Sequence, residues 1–184
     1  DNMLNINGDS NTIINNFETG GSCVSFVLSL NGDNNYFGYN SLHGTHQGWD
    51  IDGDNNTIIG NSISLWNGNS LELTGENNRI KNNVFNGGGD TYIHIKLVNS
   101  DNNIIENNQI LSSNYDDGIY LSNSDNNIIS NNTIKDNYDN GIHLYKSDSN
   151  TISNNTIKDN DDGIKLEDSD DNIIFNNTIK NNDN

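Results

Sequence analysis

The sequence predicts an all-β fold, a parallel β-solenoid of about eight rungs, because one repeat runs through its 184 residues. The phrase SDNNIISNNTIKDN recurs with small changes at spacings of 21 to 25 residues. Its apolar residues alternate with the two-residue period of strands, and no segment has helical periodicity. Copies of this kind stack in parallel about 4.8 Å apart. The eight copies begin at Gly8, Gly32, Gly53, Gly75, Ser100, Ser124, Ser147 and Ser169.

Two positions of the repeat, counted from the first residue of each copy, are asparagine throughout. Only 30% of the residues are apolar, so hydrogen bonds must supply part of the cohesion. Amides stacked on successive rungs can donate and accept along the solenoid, at about 1 kcal/mol net each. We therefore predict two asparagine ladders. Position 4 comprises Asn11, Asn35, Asn56, Asn78, Asn103, Asn127, Asn150 and Asn172, and position 9 comprises Asn16, Asn40, Asn61, Asn83, Asn108, Asn132, Asn155 and Asn177.

Two further positions are predicted to form the core. Position 6 is large and apolar in every copy and position 11 in seven, whereas Glu18 occupies position 11 of the first copy. A one-residue slip is expected to bring Phe17 inside there. The spacing of positions 6 and 9 requires a bend, which position 8 supplies as asparagine in six copies and Gly60 in another, types that tolerate positive φ. A third strand, such as Ile119-Tyr120-Leu121, completes each rung.

A leucine-rich repeat has a similar period but requires a helix or tight turn and a leucine-dominated core. This chain contains no alanine, and its core positions are mainly isoleucine. Both observations favour the β-solenoid.

The charge excludes two classes of partner. A formal net charge of −18 provides no basic stripe for nucleic acid or an anionic membrane. The longest apolar runs are a few residues, so membrane insertion is not expected. The lone Cys23 can form no intrachain disulfide and is expected to be a small buried hydrophobe.

The phrases NTIINN, NNIISNNTI and GIxL resemble the right-handed, single-stranded parallel β-helix repeats of the pectate-lyase-like superfamily. Within it, the chain is similar to NosD-like proteins and to adhesin-like surface proteins of methanogenic archaea. The resemblance covers the whole chain and implies an extracellular or cell-surface protein. It is specific for fold rather than function, because lyases, glycosidases, epimerases and adhesins share this solenoid.

The variable segment of each copy lies between position 11 and the third strand, and such segments collect on one face that commonly binds. Aromatic residues stacked there beside aspartate and asparagine predict a carbohydrate-binding strip. The alternative is that each ring packs over its neighbouring loop. The predicted strip comprises Trp49, Trp66, Tyr92, Tyr115 and Tyr138.

A catalytic alternative rests on two aspartate doublets, Asp116-Asp117 and Asp161-Asp162, each followed by glycine. They resemble the paired-aspartate phrase of β-helical polygalacturonases, which would imply an acid and a base carboxylate. That family's histidine-glycine and arginine-lysine motifs have no counterpart here. The equivalent turn of the copy between them reads YDNG, which indicates a repeating glycine turn. A non-catalytic structural or adhesive module is therefore preferred, with a polysaccharide hydrolase or lyase as the alternative.

Two metal sites are considered. His43 and His46, with Trp49 and Asp50 nearby, could hold a metal, and the resemblance to NosD-like proteins implies copper handling and a periplasmic-type carrier as a further alternative. Position 2 is acidic in every copy, and this column either caps its own turns through Asx bonds or binds Ca²⁺. The column comprises Asp9, Asp33, Asp54, Glu76, Asp101, Asp125, Asp148 and Asp170.

Residues 1–184 are expected to form a single domain without terminal caps. The first residues read as the third strand of a preceding copy, and the last copy stops before its third strand. The sequence therefore predicts either a segment of a longer solenoid or a subunit that assembles head to tail into a fibre.

Overall fold

The computed structural model describes residues 3–19, 27–45 and 48–183, and it confirms the predicted solenoid. Within these ranges, twenty-four short strands form three parallel sheets of eight strands each. Consecutive strands of the chain belong to different sheets, so three strands make one rung and each strand pairs with its equivalents one rung away.

The bounds of the strands follow the repeat. Sheet A comprises β1 (Met3–Asn7), β4 (Val27–Asn31), β7 (Trp49–Asp52), β10 (Leu71–Thr74), β13 (Ile95–Val98), β16 (Ile119–Ser122), β19 (Ile142–Tyr145) and β22 (Ile164–Glu167). Sheet B comprises β2 (Thr12–Ile14), β5 (Tyr36–Gly38), β8 (Thr57–Ile59), β11 (Arg79–Lys81), β14 (Ile104–Glu106), β17 (Ile128–Ser130), β20 (Thr151–Ser153) and β23 (Ile173–Phe175). Sheet C comprises β3 (Phe17–Thr19), β6 (Ser41–Thr45), β9 (Ser62–Gly68), β12 (Val84–Thr91), β15 (Gln109–Leu111), β18 (Thr133–Lys135), β21 (Thr156–Lys158) and β24 (Thr178–Lys180).

The core is the interior of the three sheets. Position 6 lies on sheet B and position 11 on sheet C, where Ile105 pairs with Ile129 and Ile110 with Ile134. Sheet A contributes two inward residues per rung, because its strands alternate buried and outward side chains. These residues are fully buried in the middle rungs, so the predicted core positions are confirmed there.

The corners depend on left-handed backbone conformations. All eight residues at position 8 have positive φ, between 54° and 67°, as the sequence predicts. Position 3 also has positive φ in every copy, which the sequence analysis missed although asparagine dominates that position.

Both asparagine ladders form, and they use the backbone as well as neighbouring amides. The backbone N–H of Asn103 donates to Oδ1 of Asn127 at 2.7 Å, and Nδ2 of Asn127 donates to the Ser100 carbonyl at 3.0 Å. At position 9, Nδ2 of Asn132 donates directly to Oδ1 of Asn155 at 3.1 Å. Each buried amide therefore joins successive rungs.

The predicted slip in the first copy is wrong. Glu18 pairs in register with Leu42, and Phe17 pairs with Ser41 and is 78% exposed. The position-9 ladder fixes this register, because the backbone N–H of Asn16 donates to Oδ1 of Asn40 at 3.0 Å.

The first and last rungs cover the core incompletely. Apolar side chains that correspond to buried residues elsewhere are partly exposed there, because each has a neighbouring rung on one side only. They include Leu4, Leu166, Ile174 and Ile179. The described residues contain no helix that is long and apolar enough to cross a membrane. Cys23 lies outside the described residues, so its burial stays a prediction.

Candidate functional site

Three tyrosines on successive rungs form the most distinctive exposed feature of the turns from sheet C to sheet A. Tyr92, Tyr115 and Tyr138 are 46%, 54% and 72% exposed, and the ring centroids of Tyr92 and Tyr115 lie 5.8 Å apart. Backbone hydrogen bonds join their turns: the N–H of Tyr115 donates to the Thr91 carbonyl, and the N–H of Tyr138 donates to the Ser113 carbonyl. We call Tyr92, Tyr115, Tyr138, Asp116, Asp139 and Asp161 the tyrosine–aspartate surface.

The prediction that Trp49 belongs to an exposed aromatic strip is wrong, because Trp49 is 2% exposed. It pairs with Leu28 and Leu71, so its side chain occupies an inward position of sheet A, with its ring 5.9 Å from that of Phe37. Alternation in Trp49-Asp50-Ile51 could have indicated this, since it matches Leu71-Glu72-Leu73 in the equivalent strand of the next rung. Trp66 is 62% exposed, on the part of β9 that precedes these turns.

A third ladder, which the sequence analysis missed, positions the turns. Backbone N–H groups of Ser113, Asn137 and Asn160 donate to Oδ1 of Asn137, Asn160 and Asn182 respectively, at 3.0 to 3.1 Å. Each turn then closes at a glycine that stacks tightly on the next rung. A Cβ at Gly141 would lie 2.6 Å from Ile157 Cγ2 and 2.7 Å from the Gly163 carbonyl oxygen. Between ladder and glycine, Tyr115 and Tyr138 project outward, Asp116 and Asp139 are half-buried, and Asp117 is buried.

The structure brings Asp116 and Asp117 together with Asp139, a residue that the sequence analysis did not assign to the site. Ligand oxygens of the three carboxylates lie within 4.8 Å of one another. Asp117 is buried, and its Oδ1 accepts hydrogen bonds from the backbone N–H and Nδ2 of Asn140 at 3.0 and 2.6 Å. Its Oδ2 lies 3.1 Å from Nδ1 of His143.

The second predicted doublet, Asp161-Asp162, lies one rung beyond Asp139 and two rungs beyond the first doublet. The backbone N–H of Asp161 donates to the Asp139 carbonyl, and the Asp162 carbonyl accepts from the backbone N–H of Gly141. Asp161 also lines an open groove beside Tyr138. The two doublets therefore occupy equivalent turns of one stack, and Asp139 lies in the turn between them.

Burial, neighbouring charges and hydrogen bonds shift the pKa values of the titratable groups at this site. Burial, followed by the charge of Asp117, raises the pKa of both Asp116 and Asp139. The hydrogen bond to Asp117 is the main reason that the pKa of His143 is raised. His143 also packs edge-on against Tyr120, with centroids 5.1 Å apart. This role could not be predicted from the sequence, because His143 occupies an ordinary outward position of sheet A.

The spacing of these carboxylates differs from that of an inverting glycosidase. Such enzymes separate the two groups by roughly 6.5–9.5 Å to admit a water molecule, whereas the oxygens here lie within 4.8 Å. The chain's single arginine, Arg79, is on sheet B, where it forms an ion pair with Glu106. Its guanidinium group is therefore paired at a different place from the carboxylate cluster.

The position-2 carboxylates do not cap their own turns as predicted. Instead, Oδ1 of every position-2 aspartate except Asp170 accepts from the backbone N–H of the position-2 residue on the next rung. The N–H of Asp148, for example, donates to Oδ1 of Asp125 at 2.7 Å. Six such bonds are described, at 2.7 to 2.8 Å. Among the described residues, the three carboxylates close enough together to hold a metal ion are those of Asp116, Asp117 and Asp139, and none of them belongs to this column. Calcium binding by the column stays a prediction.

The predicted histidine metal site is only partly within the described ranges. His43 is exposed, and its Nε2 lies 2.8 Å from Ser41 Oγ. His46 lies outside those ranges, and Trp49 is buried, so the metal site stays a prediction.

The comparisons agree with the fold. Residues 26–183 match the family described as the right-handed β-helix region. The crystal structure of the periplasmic alginate epimerase AlgG superposes with a TM-score of 0.74 at 16% identity, over 95% of this chain and 44% of that protein. A single-substitution mutant of that enzyme gives a TM-score of 0.75 at 16% identity, over 94% of this chain and 44% of the mutant.

At this identity the likeness to the epimerase shows the fold alone, and the chain spans less than half of that protein's length. No protein with a curated description matches the sequence. The finer resemblance to NosD-like proteins and archaeal adhesins stays a prediction. The family match, which covers most of the chain and agrees with its three parallel sheets, shows that this chain belongs to the right-handed β-helix family.

Proposed function

We propose that the chain is a non-catalytic, extracellular or cell-surface β-solenoid module that contacts carbohydrate through the tyrosine–aspartate surface. The observation that carries this proposal is the column of Tyr92, Tyr115 and Tyr138, exposed on successive rungs beside carboxylates. Tyrosine rings provide flat apolar faces with a polar tip, and carboxylates accept hydrogen bonds from hydroxyl groups. This combination suits an extended sugar chain that runs along the solenoid.

Two observations support a binding role over catalysis. Asp117 is engaged by Asn140 and His143, and oxygens of the three carboxylates lie closer together than the inverting mechanism of the polygalacturonase hypothesis requires, which argues against that mechanism alone. The superposed epimerase acts on alginate in the periplasm, according to its description. That likeness supports a polysaccharide partner and a location outside the cytoplasm.

A polysaccharide hydrolase or lyase is the second candidate. It is favoured by the raised pKa values of Asp116 and Asp139 beside His143, because active sites often hold carboxyl groups perturbed by burial and by one another.

Binding of acidic and neutral polysaccharides, measured with wild type and with Tyr115→Ala and Tyr138→Ala variants, tests the proposal. We expect each substitution to weaken binding about tenfold, in line with losses of about 1–3 kcal/mol for a contacting aromatic. Tyr39→Asn is the matched control, because Tyr39 is 56% exposed at a sheet B corner and most other copies have asparagine there.

The same incubations separate binding from catalysis. We expect no new reducing ends and no unsaturated products. Reproducible turnover that Asp116→Asn or Asp117→Asn abolishes would replace the binding proposal with the enzymatic one.

We also propose that further rungs cover the two partly exposed end rungs, either from a longer chain or from a second copy joined head to tail. The support is the partial exposure of Leu4, Ile174 and Ile179, whose equivalents elsewhere are buried. Sedimentation of these residues as an isolated segment tests the second case. A stable monomer at high concentration, with both end rungs protected from hydrogen exchange, would contradict it.

A further inference from the structure

The tyrosine–aspartate surface is strongly acidic as well as aromatic. Asp116 and Asp139 directly follow Tyr115 and Tyr138 in the chain and are half-buried at the base of the surface. A hydrogen bond to a further carboxylate, that of Asp90, raises the pKa of Tyr115. A ligand that lies on the tyrosines is therefore flanked by carboxylates.

The groove beside Tyr138 continues this acidic character. Its lining includes Asp159, Asp161 and Asp183 together with asparagine side chains. Asp159 forms an ion pair with Lys158 at 2.7 Å.

Few cations offset these charges. His143 hydrogen bonds to Asp117, and Nζ of Lys165 lies 3.9 Å from Glu167 on sheet A while interacting more distantly with Asp139. The chain as a whole has a formal net charge of −18. The surface therefore has an excess of negative charge where the ligand would lie.

This charge disfavours a polyanionic ligand. Two like charges 4 Å apart repel by about 1 kcal/mol even in bulk water, and more at a half-buried site. Alginate, the substrate in the description of the superposed epimerase, is a polymer of uronic acids. A polymer of that type would place its carboxylates against Asp116, Asp139 and Asp161.

We propose that the ligand of the tyrosine–aspartate surface is a polysaccharide of protonated amino sugars, of the polyglucosamine type. This inference rests on the proposed carbohydrate-binding function and names the chemical class of the ligand. A sugar ring stacks on Tyr115 or Tyr138, and its ammonium group donates to Asp116 and Asp139.

The chemistry of an ammonium group fits this surface in three ways. It has three donors and no acceptor, and the carboxylates supply only acceptors. Charge-assisted hydrogen bonds are about twice as strong as neutral ones, and a cation near a tyrosine face gains cation–π attraction. Because Asp117 raises the pKa of both Asp116 and Asp139 by repulsion, a bound cation would also relieve that repulsion.

Calorimetric titration with three oligosaccharides of equal length tests the inference: a glucosamine oligomer, its fully N-acetylated counterpart and an oligouronate. Measurements are made below the pKa of the amine. We expect the glucosamine oligomer to bind at least tenfold more tightly than the acetylated one, and the oligouronate not to bind, from the usual strength of hydrogen bonds to charged groups.

Asp139→Asn should weaken glucosamine binding about tenfold and binding of the acetylated oligomer less than about threefold, because the amide keeps an acceptor for sugar hydroxyl groups but loses the charge that the ammonium group requires. Asp52→Asn is the matched control, because it removes the same charge from an exposed position of β7 outside the surface. We expect it to change affinity less than twofold. Asp116→Asn provides a second variant if Asp139→Asn lowers the melting temperature.

The outcomes separate this inference from the function on which it rests. Tyrosine-dependent binding of the acetylated oligomer or the oligouronate, at equal or higher affinity, would overturn the amino-sugar assignment and leave the carbohydrate-binding function standing. Equal losses for Asp52→Asn and Asp139→Asn would also overturn it, since they would indicate general charge attraction. Absence of binding to every oligosaccharide would overturn the proposed function itself.

Discussion

At the scale of single residues, the least expected feature is the buried imidazole of His94. His94 is fully buried, with Nδ1 2.9 Å from Ser70 Oγ and Nε2 2.8 Å from the Leu111 carbonyl oxygen. Because a carbonyl oxygen only accepts, Nε2 carries the proton and Nδ1 accepts from the serine hydroxyl. Burial lowers the pKa of His94 from 6.5 to about 4.

This shift predicts acid destabilisation. Between pH 6.5 and about 4 the unfolded chain binds a proton at His94 that the folded chain does not, so the contribution of His94 to stability is lost as pH falls through this range. The loss amounts to about 3 kcal/mol. Denaturation as a function of pH should show this fall in wild type, whereas His94→Gln removes it. The exposed His43 supplies the control, since His43→Gln should leave the profile of the wild type unchanged.

Each buried asparagine of the ladders is predicted to stabilise the folded state measurably by itself. Asn127→Ala would leave the backbone N–H of Asn103 and the Ser100 carbonyl without their partners inside the solenoid. Each unpaired buried group costs about 1–3 kcal/mol, so the two groups together should lower the free energy of unfolding by about 2–6 kcal/mol in urea denaturation. Asn11→Ala, at the exposed end of the same ladder, should cost less than about 1 kcal/mol. Equal losses at the two sites would contradict the role of burial.

At the scale of structural elements, the corners are determined by backbone conformation rather than by side-chain contacts. Asn107 is exposed, has φ of 57° and forms only a long side-chain contact, 3.5 Å to Glu106. The left-handed conformation is costly for β-branched residues and free for glycine. This explains why asparagine and glycine recur at position 8.

Matched substitutions at Asn107 test this explanation. Asn107→Val should destabilise the fold by about 1–2 kcal/mol, whereas Asn107→Gly should change the free energy of unfolding by less than about 0.5 kcal/mol. Equal effects of the two substitutions, compared by thermal denaturation, would mean that the asparagine side chain rather than the conformation determines the corner.

The same elements show which structural features could be predicted from the sequence. The core positions, the two asparagine ladders and the bend at position 8 could be predicted, because comparing eight copies shows which positions are apolar, asparagine or tolerant of positive φ. The positive φ at position 3 and the bonds of position 2 to the next rung were missed, although they recur across the copies. Features of a single copy could not be predicted: Trp49 fills an inward position that leucine and isoleucine occupy elsewhere, and Phe17 lies outside because the Asn16 ladder fixes the register. The cluster of Asp116, Asp117, Asp139 and His143 combines residues from two rungs, so no local motif contains it.

At the scale of the whole molecule, the acidic column along position 2 is stabilised by the backbone. In each of the six described bonds, an aspartate Oδ1 accepts from a backbone N–H of the next rung, so one oxygen of each of these carboxylates is held by the backbone. We therefore expect equal melting temperatures in EDTA and in millimolar calcium at matched ionic strength. A higher midpoint in calcium, lost in Asp125→Asn, would instead establish the predicted cation bridge.

The central claim is that function resides on the tyrosine–aspartate surface, on one face of the solenoid. Hydrogen exchange with and without a saturating amino-sugar oligomer tests it most directly, because it reports on every rung at once. We predict slower exchange in the turns that contain Tyr92, Tyr115 and Tyr138, with the position-2 column and sheet B unchanged. Protection confined to another face, or distributed evenly along the solenoid, would contradict this account.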